Sequence, residues 1–257
     1  MSLANPKQRF STRVENYIKY RPSYPVGVID LLKEECGLDK DSVIADIGSG
    51  TGILSKLLLK VALRIFGVEP NKEMREAGER LLAEYSSFTS VAASAEDTTL
   101  PENSIDIITA SQAFHWFDRA KAKEEFLRIL KPGGWVTLIW NDRQTTTTQF
   151  LVEYEQLLQT YATDYKVVNH KELDPGAIGS FFESGGFNLK TFENRQLFDF
   201  QSLKGRLLSS SYSPEEGHPN HEIILKKLRE IFDSYNAGGK VTFEYETMVY
   251  YGRLERQ

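Results

Sequence analysis

The polar and apolar positions change period several times along the chain. Val43–Ile47, Arg64–Val68, Phe88–Ala93, Ile105–Ala110 and Trp135–Trp140 are short runs rich in β-branched and aromatic residues. Between them, apolar residues return at three- and four-residue intervals. Ile53, Leu54, Leu57, Leu58 and Val61 predict a helix from about Thr51. A second helix starts near Asn71, whose side chain suits an N-cap, and a third lies between Asp118 and Leu130. The third is closed by Lys131-Pro-Gly-Gly134, a run expected neither to continue a helix nor to join a strand. This alternation predicts an α/β fold on a parallel sheet.

The pattern changes after Asn141. The threonines Thr145 to Thr148 lead into a predicted helix through about Tyr161, and a short helix is expected over Gly176–Glu183. Asn188–Phe200 and Val241–Tyr251 alternate over long stretches, as an antiparallel pair does. The intervening residues 201–239 hold two helical patterns around a Ser/Pro/Gly/His loop. They are too many for a hairpin turn and read as an inserted cap.

Composition narrows the class. A chain of 257 residues with 40% hydrophobic content suits one domain, residues 1–257. The formal net charge of −5 opposes broad binding to a phosphate backbone, so no nucleic-acid partner is expected. No long uncharged apolar run is present, so no membrane span is expected, and the N-terminus lacks the apolar core of a signal peptide. Cys36 is the lone cysteine, which excludes an intrachain disulfide or a cysteine metal cluster and suits a reducing cytoplasm. His218 and His221 have metal-like spacing but supply only two nitrogens, and no metal is expected. Oligomeric state, monomer or homodimer, is not legible.

Candidate chemistry begins at Asp46-Ile-Gly-Ser-Gly-Thr-Gly52, where a strand feeds a helix. Glycines there allow a ligand to approach the backbone, and the helix start offers N–H groups. Nicotinamide-binding folds use a similar turn, but their third small residue falls one position later, where this chain has Ile53. Asp46 before the glycines repels a pyrophosphate and suits a ligand with a cationic amino-acid end. Glu69 ends the second strand, where a carboxylate can accept from a ribose diol.

Four segments, in order and spacing, carry a family resemblance: Val43–Gly52, Gly67–Met74, Ala93–Asp97 with Leu100-Pro101, and Leu130–Gly134. Residues 43–140 resemble the class I S-adenosylmethionine-dependent methyltransferases, in particular the type 11-like small-molecule group. The resemblance implies a Rossmann-like, seven-stranded, mostly parallel sheet with an antiparallel C-terminal strand pair and a helical insertion. It also implies a layout of N-terminal lid (1–40), cofactor-binding core (41–143) and substrate cap (201–239). S-adenosylmethionine is the implied cofactor. Asp46, Gly48, Ser49 and Gly50 fall on its methionine side and Glu69 on its ribose. Pro70, Asn71 and Met74 flank the adenine, with Ala95, Glu96 and Asp97 at its edge. For Met74, ordinary core packing is an equal alternative.

Ser111-Gln-Ala-Phe-His-Trp-Phe117 resembles the family segment beside the transferred methyl, with Gln112 toward the methionine end. His115 is either a general base or, with Trp116, part of the wall. Tyr17-Ile-Lys-Tyr-Arg-Pro-Ser-Tyr24 resembles the lid of trans-aconitate methyltransferase-like proteins. It places Tyr20 and Arg21 over the cofactor and Tyr24 toward substrate, or else anchors the N-terminus. Asn141 and Arg143 end the fifth strand, and Ser210 and Tyr212 lie in the insertion; all four are candidate substrate contacts. The expected reaction is methyl transfer to a small acidic or polar acceptor. Macromolecular methylation, a non-catalytic cofactor-binding module and an NAD-dependent oxidoreductase are the competing readings.

Overall fold

A computed structural model describes residues 14–163, 165, 175–182 and 185–255. Helices α1 (Val14–Tyr20) and α2 (Val26–Cys36) precede an alternating core. The core runs β1 (Val43–Ile47), α3 (Ile53–Leu58), β2 (Arg64–Val68), α4 (Lys72–Leu81), β3 (Phe88–Val91), β4 (Ile105–Ser111), α5 (Arg119–Ile129) and β5 (Leu130–Arg143). Then follow α6 (Gln149–Tyr161), α7 (Pro175–Phe182), β6 (Asn188–Phe198), α8 (Phe200–Leu208), α9 (His221–Tyr235) and β7 (Val241–Gly252). The first thirteen residues of the expected lid lie outside the described residues.

The seven strands form one sheet in the order β3-β2-β1-β4-β5-β7-β6. The first five strands pair in parallel, and β7 runs antiparallel to both β5 and β6. This is the mostly parallel sheet with an antiparallel C-terminal pair.

Side-chain alternation divides the core between the two faces. Ile44, Ile65, Ile107 and Ile139 pack with Val28 and Leu32 of α2 and Leu54 and Leu58 of α3. Ala45, Ile108 and Leu138 pack with Phe126 of α5 and Ile178 and Phe182 of α7. Beyond the parallel strands, α6, α8 and α9 build a third cluster with Phe198 and Phe243.

Two local expectations are corrected. Helix α3 ends at Leu58, because the chain turns there with Val61 N–H bonding to Leu58 O; Val61 still packs on the same core. Lys131–Gly134, expected outside any strand, lies within β5. The register explains why: Ile105 pairs with Leu130 and Ile107 with Trp135, so the run is accommodated as a bulge, with Gly133 at φ +79°. Among the described residues, no helix is long and apolar enough to cross a membrane.

Candidate functional site

Strand β1 has β2 on one side and β4 on the other, so the connections leaving their carboxyl ends diverge and open a crevice. A cavity of about 510 Å³ lies there. Its walls are the turn after β1 (Gly48, Gly50), the end of β2 (Glu69, Pro70, Asn71), Met74 of α4 and Ser94–Glu96. Ser111–Ala113, Trp116, Phe117, Asp118 and Lys121 close the other side.

Backbone forms much of this wall. Gly48 has φ +70°, and a Cβ there would stand 2.5 Å from the Ala113 Cβ; Gly50 has φ +57°, with Met74 Cε 3.3 Å from its would-be Cβ. Glu69 is 8% exposed and is held by two backbone donors: Gly50 N–H at 2.9 Å on Oε2 and Asn71 N–H at 2.8 Å on Oε1. Burial pushes its carboxyl above the ordinary value while those two donors oppose the rise. Each oxygen keeps acceptor capacity for a ligand. Asn71 caps α4 by accepting the Met74 N–H at 2.9 Å. Met74 is buried and also lines the cavity, so the packing and contact readings coexist. Glu96 is fixed by the Asp118 N–H at 2.9 Å.

Several expected cofactor contacts lie elsewhere. The Asp46 carboxylate is buried and accepts Ser55 Oγ–H at 2.6 Å and Thr109 Oγ1–H at 2.9 Å, tying β1 to α3 and β4 instead of lining the cavity. Burial raises its pKa to about 6 against those two bonds. Ser49 turns toward β2, with Oγ 3.1 Å from the would-be Cβ of Gly67. Asp97 is exposed outside the lining, because its bridge to Ser94 turns the chain away. Tyr20 packs its ring against Gly205 of α8. Arg21 leaves the end of α1, donates to Ser209 O at 3.1 Å and lines a second cavity.

That smaller cavity, about 140 Å³, adjoins the first. Tyr24, His115, Asn141, Arg143 and Tyr212, all expected near substrate or the reacting atoms, line it. Ser210 does not: it is buried as the acceptor of Arg206 Nη1 at 3.1 Å, and Ser211 takes its place in the wall. Asn141 is locked by Thr247 and Asn194, which donate to its Oδ1, and by Ser23 O, which accepts from its Nδ2. Arg143 is buried against Glu155 at 2.5 Å and Tyr165 at 3.2 Å. The His115 ring sits 4.5 Å from Trp116 and 5.8 Å from Trp140, centroid to centroid.

Tyr17, Gln112 and Trp116 line both cavities. Gln112 has φ +54°, rare for a residue with a side chain, and is held by Ile139 O and Asn141 O. Tyr17, at the head of the lid segment, and Arg206, beside the Ser/Tyr segment of the insertion, were not singled out as site residues from the sequence. Arg206 was signalled: it sits beside Leu203 and Leu207 on the buried face of α8, where a charge is out of place.

Comparison with known proteins identifies the domain. Residues 45–138 match the pattern of the methyltransferase domain. The chain carries a class I S-adenosylmethionine-dependent methyltransferase domain. An uncharacterized methyltransferase-like protein of Schizosaccharomyces pombe is 31% identical over 60% of this chain and 59% of its own length. An uncharacterized methyltransferase of Mycobacterium bovis is 36% identical over 52% of each. The chain thus spans little more than half the length of these curated relatives. A solved structure from Anaeromyxobacter dehalogenans, proposed as a type II methyltransferase, superposes with a TM-score of 0.65 at 22% identity. It covers 92% of this chain and 100% of that one, a likeness of fold. The matched segment of the methyltransferase domain contains the larger cavity's glycine turn, Glu69, Ser111–Ala113 and Trp116.

Proposed function

We propose that this methyltransferase moves a methyl group from S-adenosylmethionine in the larger cavity to a small polar or acidic metabolite in the smaller one. One observation carries the reading: the two cavities adjoin, and Tyr17, Gln112 and Trp116 belong to both. When bound, the cofactor supplies an electrophilic methyl on a cationic sulfur.

The larger cavity suits that cofactor. Gly48 and Gly50 leave a cradle that a Cβ would fill, and the Glu69 carboxylate, pre-oriented by two backbone donors, matches a ribose diol. The volume lies within the range of drug-sized ligand sites. At the junction, the aromatic faces of Tyr17 and Trp116 attract a cation and exclude water. Gln112, fixed in a strained backbone, orients the passage. Rigid alignment of the reacting atoms is the protein's main contribution to such chemistry. His115 walls the acceptor side among Trp116 and Trp140, and takes a proton only if the acceptor is a hydroxyl or amine. Helix α8 and the following Ser211-Tyr212 contribute to the same wall, which supports the cap reading of the insertion.

Transfer of tritiated methyl to a panel of polar and acidic metabolites, including tricarboxylic acids, tests this directly. A labelled small product is expected. Label appearing in tRNA or protein, with none in the panel, would sink the small-acceptor reading.

A further inference from the structure

The smaller cavity collects three cations, two of them without a carboxylate partner among the described residues. Arg21, Arg143 and Arg206 line it, and Arg143 and Arg206 are only 8% and 6% exposed. Arg143 has Glu155. Among the described residues, Arg21 and Arg206 have no carboxylate partner. Arg21 donates to Ser209 O and lies 4.9 Å from the Tyr17 ring centre; Arg206 donates to Ser210 Oγ.

A guanidinium keeps its charge and carries five N–H donors. Among the described residues, Arg21 Nε, Arg206 Nε, Arg143 Nη1 and the Trp140 indole N–H are buried without a hydrogen-bond partner, and all four residues stand on this one wall. Native proteins leave few buried donors unpaired and pair their buried charges. Among the described residues, no acceptor meets these four donors. Tyr212 senses the same field: burial pushes its phenol up, yet Arg206, Arg143 and Arg21 outweigh burial and hold it below its ordinary value.

Charge and size restrict the anion. Arg21, Arg143 and Arg206 bring three positive charges to the wall and Asp142 one negative, and Glu155 beside Arg143 adds another, so the formal sum is one positive charge. That balance fits a monoanion and is overshot by a phosphate dianion. A cavity near 140 Å³ resembles one that accepts benzene, which corresponds to roughly six non-hydrogen atoms.

We propose that the smaller cavity is a carboxylate subsite, and that the methyl acceptor is a small monocarboxylic acid held between Arg21 and Arg206. The inference rests on the two-cavity reading above. The test is calorimetry on the full chain saturated with S-adenosylhomocysteine, the demethylated cofactor. Propionate and butyrate are titrated against their uncharged amides, with inorganic phosphate as a third arm. Each acid binds at least about tenfold tighter than its amide and tighter than phosphate, the scale of one charge-assisted contact. Arg206→Met removes that preference and leaves S-adenosylhomocysteine affinity within about twofold. Arg21→Met, measured the same way, serves if the first variant does not fold. Equal binding of acid and amide, phosphate binding tightest, or an unchanged preference in both variants would overturn the carboxylate subsite. Absence of S-adenosylhomocysteine binding in the wild type would instead strike the two-cavity reading beneath it.

Discussion

Apart from Tyr17, the larger cavity is walled by turns that follow consecutive parallel strands between Gly48 and Lys121, whereas the smaller one gathers side chains from Tyr17 to Tyr245. On the first side the backbone does most of the shaping: two positive-φ glycines, and N–H groups that orient Glu69. On the second, side chains from α1 and the residues after it, β5, α8 and β7 converge, and four lining residues are charged: Arg21, Asp142, Arg143 and Arg206. A backbone-built site tolerates almost no substitution at its glycines. A side-chain-built site can be re-aimed one residue at a time, which suits a constant cofactor facing a variable acceptor.

The largest effect expected from breaking this contrast falls on the backbone side. Gly48→Ala places a Cβ at φ +70° and 2.5 Å from Ala113. Backbone strain and overpacking together cost roughly 2–5 kcal/mol, read as lost thermal stability with S-adenosylhomocysteine binding reduced in parallel. A variant with wild-type stability and affinity would show that the turn is not a close-packed wall.

Next comes Asp46, which supports that wall from beneath. Its folded-state pKa is raised by burial to about 6 from a reference of 3.8. The native chain therefore holds this proton to higher pH than the unfolded chain, and between about pH 4 and 6 unfolding releases it. Stability from this group falls as pH rises through that window. Relative to Asp46→Asn, the wild type loses about 3 kcal/mol across it and no more above it. Chemical denaturation at several pH values gives the difference, and a flat difference would refute the assignment.

The acceptor side carries the opposite sign. Replacing Arg206 by Met removes a buried charge that has no carboxylate partner among the described residues, so stability rises by about 1–2 kcal/mol even as acid binding is lost. A destabilised Arg206→Met would mean that the arginine is paid for by the fold itself, and the contrast would weaken.

The same contrast explains what the sequence could reveal. Strands β1 to β5, the glycine turn and Glu69 were legible because each is set by local periodicity or by residues close in sequence. The strand pair β6 and β7 was legible through its long alternation. Lys131–Gly134 misled, since a Pro-Gly-Gly run announces a break while its inclusion in β5 depends on pairing with Ile105 and Ile107. The burial of Asp46 was hidden for another reason: its two hydroxyl partners lie 9 and 63 residues away. The convergence of Arg21, Arg143 and Arg206 was beyond reach, because the three belong to different elements whose approach is set by the third core cluster and the α1–α8 contact.

Calorimetric titration of S-adenosylhomocysteine and of NAD into the wild type and Glu69→Ala tests the central claim most directly. The account predicts one S-adenosylhomocysteine site per chain, weakened by about 1–3 kcal/mol in Glu69→Ala, and no NAD binding. NAD binding with no heat from S-adenosylhomocysteine, or an affinity indifferent to Glu69, would contradict it.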